Sequence, residues 1–263
     1  MTSPQELFSI AGKTALVTGG SRGIGLMIAS AYVDAGATVF ISSRKADVCQ
    51  AVAAELSQRG RCVPLPANLA SEAECRRLAD AVTEATGGPL DILVNNAGAT
   101  WGAPLAETDE AAFERVLALN VKGVFHLTRF LAPALRAAGS EEDPARVINI
   151  GSIDGIHVPM LETYAYSASK AAVHQLTRHL ARFLAPTVTV NAIAPGPFES
   201  KMMAATLEAF GEQIASSAPL KRIGRPDDMG GTAIFLASRA GAYLTGAVIP
   251  VDGGIATVGS GRA

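Results

Sequence analysis

The sequence predicts an α/β domain built on a doubly wound, seven-stranded parallel sheet with helices on both faces. Two observations carry this. Short apolar runs alternate with longer amphipathic segments from Lys13 to Val251, the rhythm of strands joined by crossover helices. Directly after the first run comes Thr18-Gly19-Gly20-Ser21-Arg22-Gly23-Ile24-Gly25, and then a helical stretch over 26–35, which is the strand, loop and helix order of a nucleotide-binding unit.

The strands are expected at 14–17, 38–41, 62–65, 92–94, 147–150, 188–192 and 248–251. Helix starts carry their own signals: Ser71 with Glu74 forms a capping-box pattern, and Pro226 is followed by Asp227 and Asp228 in a first turn. No linker divides the 263 residues, so one domain spanning 1–263 is expected, and no internal repeat is visible.

Composition narrows the function classes. Hydrophobic residues make up 49% and charged residues 17%, which suits a large core and surface hidden by self-association. A net charge of -2 gives no electrostatic case for nucleic acid. Cys49, Cys62 and Cys75 lack metal-ligand spacing and read as reduced thiols; no metal is expected. No segment is apolar and long enough to span a bilayer and the N-terminus lacks a signal-like run, so a cytoplasmic location is expected.

In the glycine-rich loop, Gly19, Ser21, Gly23, Ile24 and Gly25 would let a pyrophosphate approach backbone N-H groups at a helix N-terminus. At the end of the second strand, where an acid would hold a ribose hydroxyl, the chain reads Ser42-Ser43-Arg44-Lys45. Arg44, with Arg22 from the first loop, suits a 2'-phosphate and predicts NADP(H).

Tyr166 and Lys170 lie four apart, hence on one face of a helix. A phenol with an ordinary pKa of about 10 becomes a usable proton donor when an ammonium draws its proton affinity toward neutrality. Ser152 stands fourteen positions before Tyr166, at the end of a strand. Tyr164 has Ala168 rather than a lysine four residues on and is read as a decoy.

With these residues the chain resembles the short-chain dehydrogenase/reductase family, from about Gly12 to Gly254. Asn120, Ser152, Tyr166 and Lys170 match the family's catalytic tetrad. The resemblance implies that Ser152 hydrogen-bonds a substrate carbonyl and Tyr166 gives it a proton. Lys170 would lower the tyrosine pKa and hold the nicotinamide ribose, and Asn120 would anchor a water in a proton relay. It also implies cofactor contacts from Asn68, Leu69, Asn96, Gly98, Pro195, Gly196 and Phe198.

Within the family the chain looks most like the beta-ketoacyl reductases of the rhamnolipid type, through 18–25, 95–102, 145–152, 164–172 and 245–254. The expected activity is NADPH-dependent reduction of a ketone, foremost a 3-oxoacyl thioester or ester. The alternatives are an NADP-dependent dehydrogenase of a sugar, steroid or other secondary alcohol, and a cofactor-sensing protein without turnover. A homotetramer is the family expectation.

The segment 197–220, with Phe198, Met202, Met203, Leu207 and Phe210, reads equally as a lid over a greasy substrate and as a stripe that packs its own helix. Trp101, His157 and Met160 are candidate cleft walls. The acidic run Glu141-Glu142-Asp143 and the uncharged stretch 184–187 stand where ketoacyl-carrier reductases present basic residues. On that ground an acyl carrier protein is a doubtful partner, and a free or CoA-linked substrate is expected at least as readily.

Overall fold

The computed structural model describes residues 2–200 and 203–258, with backbone alone at 204 and 205. The seven strands are β1 (Thr14–Thr18), β2 (Thr38–Ser42), β3 (Cys62–Pro64), β4 (Ile92–Asn95), β5 (Ala145–Ile150), β6 (Val188–Pro195) and β7 (Val248–Val251). The helices are α1 (Pro4–Leu7), α2 (Gly23–Asp34), α3 (Ala46–Leu56), α4 (Glu72–Thr86), α5 (Glu110–Leu117), α6 (Val124–Ala138), α7 (Tyr164–Leu184), α8 (Ala204–Ser217) and α9 (Pro226–Ala237). All strand pairs are parallel, in the order β3-β2-β1-β4-β5-β6-β7. The order reverses between β1 and β4, the switch point where such sheets open a crevice at their carboxyl ends.

The strands are buried on both faces, and the period of two in their side chains sorts them into two cores. Ala15, Val17, Val39, Ile41, Ile92, Val94, Ile148 and Ile193 face α2, α3 and α9. Leu16, Phe40, Leu93, Val147, Val188 and Val190 face α4, α6 and α7. Tyr32 is fully buried under the first layer and donates its hydroxyl to Ala233 O on α9 at 3.0 Å. The three cysteines are buried free thiols.

Strands β1 to β6 each differ from the sequence expectation by one to three residues at an end, and one cap forms only in part. β6 continues three residues past Ala192 because β7 pairs with it at 192–195, and Pro195 closes the strand without interrupting that ladder. At α4 only half the capping box forms: Ser71 Oγ accepts from Glu74 N at 3.5 Å, while the Glu74 carboxylate turns to Arg77 at 2.8 and 2.9 Å. At α9 the start is as expected, with Pro226 in the first turn and Asp228 accepting from Arg225 N at 2.7 Å.

Candidate active site

Because every strand runs the same way, the segments that follow β1 to β6 emerge on one edge of the sheet. They carry the glycine-rich loop, Arg44, Asn68, Asn96 to Gly98, Ser152 and Gly196, so all these candidates share that edge.

The first loop is held open by its own polar frame. Thr18 Oγ accepts from Asn96 N and Ala97 N at 2.9 and 3.0 Å and donates to Val94 O at 3.1 Å. Asn96 Nδ2 reaches back to Thr18 O at 2.8 Å and Gly19 O at 3.3 Å. Gly19 and Gly23 have φ of 66° and 52°, and a Cβ on Gly25 would sit 2.3 Å from Gly19 O, so the turn requires glycine. Arg22 precedes α2 with no capping bond from its side chain, and Arg22 and Arg44 are both exposed. Next to them, Ser42 Oγ is buried without a hydrogen-bond partner at the end of β2. A glycine cradle at a helix N-terminus, two exposed guanidiniums and an orphaned hydroxyl fit the phosphate-bearing end of a dinucleotide.

Asn68 is exposed beyond β3 and its N-H points to Glu74 Oε2 at 3.4 Å. Leu69 beside it puts its side chain into the core, leaving only its backbone for a ligand. Phe198 departs further from the expectation of a cofactor contact. Its ring is 2% exposed and fills the space that the absent side chain of Gly224 leaves, so it roots the 197–220 segment in the core. Pro195 ends β6, and Gly196 N-H donates to Val251 O at 3.0 Å, where any Cβ would strike Asp252.

Ser152 follows β5 with extended backbone, and its Oγ accepts from Asp154 N at 3.1 Å. That bond occupies a lone pair and leaves the hydroxyl proton to be donated. One turn into α7, Tyr166 and Lys170 are brought to the same place. Lys170 Nζ donates to Ile150 O at 2.8 Å and lies 5.4 Å from the centre of the Tyr166 ring. Gly98 leaves room for both: a Cβ there would come within 3.3 Å of Asn120 Oδ1 and 3.7 Å of Lys170 Nζ.

Asn120 lies in a π-helical turn, Ala118–Gly123, between α5 and α6. Its side chain is spent within the protein, accepting from Ala99 N at 2.8 Å and donating to Ala99 O and Ser169 Oγ at 2.9 Å each. It thereby ties the end of β4 to α7, and a relay water would need a group other than this side chain. Behind the site a buried chain of Thr128, Asn95, Asn149 and Thr177, with links of 2.9 to 3.0 Å, crosses β4 and β5.

Burial acts on both the phenol and the ammonium. Burial pushes the Tyr166 phenol up to about 12; the facing Ser152 hydroxyl opposes this and Asp154 adds to it. Burial likewise holds Lys170 down to about 8. Burial is thus the largest influence on each of the two groups.

His174, one turn beyond Lys170, is 4% exposed with Nε2 unpartnered, and burial first of all lowers it to about 4. Between pH 6.5 and 4 the unfolded chain therefore binds the proton that the folded one refuses, and stability falls as pH falls through that window. The loss is about 3 kcal/mol. Denaturant titrations at pH 7 and pH 4.5 should show His174→Gln losing less stability than the parent.

Tyr164, the expected decoy, is 38% exposed and donates to Glu162 Oε2 at 2.6 Å; the same oxygen accepts from Leu105 N at 2.9 Å. This closes 102–105 onto 161–164 beside a cavity of about 440 Å³ that Leu105, Phe113 and Tyr164 help to line. Trp101 is 43% exposed under Arg115, and Met160 is 93% exposed. His157 Nδ1 lies 2.9 Å from Val158 O. Of the expected lid residues, Phe210 is 47% exposed and Met203 and Leu207 are half-buried; Met202 lies outside the described residues.

The two stretches weighed against a carrier-protein partner do not lie beside the site. Glu141 to Asp143 precede β5, and 184–187 precede β6, so both lie on the amino edge of the sheet, away from the site. Asp143 is moreover paired with Lys13 and Arg146, each at 2.9 Å.

A family model described as "Enoyl-(Acyl carrier protein) reductase" matches residues 19–256. The chain belongs to the short-chain dehydrogenase/reductase family. It is an oxidoreductase. It is 52% identical over 251 residues, 94% of this chain and 97% of the other, to the rhamnolipids biosynthesis 3-oxoacyl-[acyl-carrier-protein] reductase of Pseudomonas aeruginosa. The solved Pseudomonas aeruginosa RhlG/NADP active-site complex superposes with a TM-score of 0.92 at 51% identity, covering 95% of this chain and 99% of that one. A galactitol 2-dehydrogenase (L-tagatose-forming) of Cereibacter sphaeroides is 37% identical, over 95% of this chain and 97% of its own. Among the described residues no helix is long and apolar enough to cross a membrane, and no group of three or more His, Cys, Asp and Glu could hold a metal ion.

Proposed function

We propose that the protein is an NADPH-dependent reductase of the ketone in a 3-oxoacyl thioester or ester. The observation that carries this is the meeting of Ser152, Tyr166 and Lys170 on the edge where the glycine cradle and its two arginines also lie. Bound NADPH supplies the hydride. Gly19, Ser21, Gly23, Ile24 and Gly25 hold its pyrophosphate; Arg22 and Arg44 take the 2'-phosphate; Asn68, Leu69, Asn96, Gly98, Pro195, Gly196 and the Phe198 backbone complete the contacts.

Ser152, its acceptor side engaged by Asp154 N-H, donates its proton to the ketone oxygen and fixes it beside Tyr166. Tyr166 then gives up the phenolic proton as negative charge builds on that oxygen. A phenol raised by burial keeps its proton across the physiological range, which suits the acid that reduction needs. Lys170 stabilises the phenolate left behind and can return a proton, being close to the pH at which it exchanges one.

An apolar rim favours an acyl substrate over a polyol: Ile156, Val158, Met160 and Leu161 after Ser152, with Phe210 and Leu220 on the 197–220 segment, are all exposed. We read that segment as a lid. The relative named for carrier-bound substrates supports a thioester, and with the acidic turn on the far edge a carrier protein is an acceptable partner. The dehydrogenase reading draws support from the galactitol relative. Phe125 and Phe183, exposed on α6 and α7, suit the homotetramer expected of the family, and light scattering would expose a monomer. We place the protein in the cytoplasm and treat 1–263 as one domain.

The test is oxidation of NADPH and NADH against matched carrier-bound, CoA-linked and free 3-oxoacyl substrates, cyclic ketones and, in reverse, polyols. NADPH-dependent reduction of a 3-oxoacyl substrate is expected. Turnover confined to polyols or cyclic ketones would keep the chemistry and overturn the substrate.

A further inference from the structure

Two residues past Ser152 stands Asp154, an ionisable group beside the site to which the reductase reading gives no task. Its backbone is fixed from both sides: the N-H donates to Ser152 Oγ at 3.1 Å, and the carbonyl accepts from Ser167 Oγ on α7. The side chain is half-buried, and burial opposes its charge while His157 and Lys170 favour it. Asp154 in turn raises the proton affinity of both Tyr166 and Lys170, so its carboxylate lies within electrostatic range of the reacting groups.

The ionisable groups around it are few. His157 stands on the following loop, and Tyr166 and Lys170 on α7, with His174 next along that helix face. Among the described residues none forms an ion pair with Asp154. Apart from His157, the loop 156–161 is apolar. The wall at the reacting end of the cleft is thus greasy and carries one carboxylate, which His157 and Lys170 offset without pairing with it.

A free 3-oxo acid bears its carboxylate one methylene from the ketone. When Ser152 and Tyr166 hold that ketone oxygen, the second negative charge is brought toward Asp154. An ester, thioester or amide has the same shape there and no charge. We propose that Asp154 is a specificity-determining residue, which turns away substrates with a negative charge one carbon from the reacting ketone and admits neutral 3-oxoacyl esters and thioesters. The inference rests on the reductase reading. Like charges brought together in such a wall repel, and the acid is expected to be disfavoured in binding and reaction by about tenfold.

The experiment compares kcat/KM at pH 7 and saturating NADPH for acetoacetate, acetoacetamide and ethyl acetoacetate, in the parent and in Asp154→Asn and Asp154→Ser. The parent is expected to favour the amide over the acid by about tenfold or more, and both variants to narrow that ratio by a similar factor. A second signature separates charge from mere structure. With the carboxylate gone, Tyr166 and Lys170 lose their protons more readily, so the alkaline fall of the ester reduction rate moves to lower pH.

Equal use of acid and amide by the parent overturns the proposal. So does an unmoved ratio in variants that still reduce the ester. If neither variant reduces the ester, the parent's acid-to-amide ratio decides alone. A parent that reduces none of the three, with either nucleotide, brings down the reductase reading and this inference together.

Discussion

Tyr166→Phe is expected to lower the turnover of ketone reduction by about three orders of magnitude while leaving NADPH affinity within a few-fold. Loss of a positioned general acid costs typically 10²–10⁴ in rate, and Tyr166 is the half-buried phenol that faces the Ser152 hydroxyl. The ring itself stays, so Lys170 keeps the aromatic face it lies over. The Ser152 hydroxyl keeps its bond from Asp154 N-H and can still hold the ketone oxygen, which sets the residual rate above that of free solution.

Steady-state kinetics with a 3-oxo ester and a nucleotide fluorescence titration measure the two halves. Loss of both together would mean that the tyrosine holds the site's shape and not its proton. Tyr164→Phe is the matched control. That hydroxyl is exposed and bonded to Glu162, which retains Leu105 N-H when it is removed, so turnover should stay within about threefold.

What the sequence made legible follows from how local each signal is. All seven strands could be found because an apolar run between turn residues is a property of neighbouring positions, and strand ends moved only where a partner decided them, as β7 does for 193–195. The tyrosine and lysine could be paired because helical spacing is fixed by geometry. The frame of the glycine loop could not: Thr18 and Asn96 are 78 positions apart and meet only because β1 and β4 are neighbours in the sheet.

The seat of the Phe198 ring was out of reach for the same reason, since the cavity it fills is made by a missing Cβ at Gly224. The acidic run before β5 was weighed against a carrier partner by its charge and its place in the family pattern; that it lies on the amino edge follows from strand direction, which the run itself does not carry. Asp154 escaped notice because nothing in Ser-Ile-Asp-Gly signals that the carboxylate shares space with Tyr166 and Lys170, which stand on another element. The π-helical turn at Asn120 has no sequence mark either; it adjusts the junction of α5 and α6 so that the asparagine reaches both Ala99 and Ser169.

Nucleotide choice offers the second large effect. Arg44→Asp is expected to raise KM for NADPH about a hundredfold and to turn the enzyme toward NADH, with Arg22→Ala adding a further loss for NADPH alone. A hydrogen bond to a charged group contributes roughly 1.5–3 kcal/mol, and the aspartate adds repulsion of the 2'-phosphate to the bond it removes. For NADH the same carboxylate gains a partner, because an acid at the end of the second strand accepts from the ribose hydroxyls.

The backbone there is already suited to either nucleotide. Ser42 O accepts from Gly19 N at 2.7 Å and Gly20 N at 3.3 Å, so the turn that carries Arg44 is pinned to the glycine loop by main-chain bonds that the substitution does not touch. Both arginines are exposed, and neither forms an ion pair among the described residues, so their removal leaves no buried charge stranded and the fold should be unaffected. The ratio of kcat/KM for NADPH to that for NADH, measured on one ketone in the parent and both variants, isolates the effect from any change in chemistry. A ratio that stays put in Arg44→Asp would move the 2'-phosphate away from the end of β2 and leave Arg22 and the orphaned Ser42 hydroxyl to account for it.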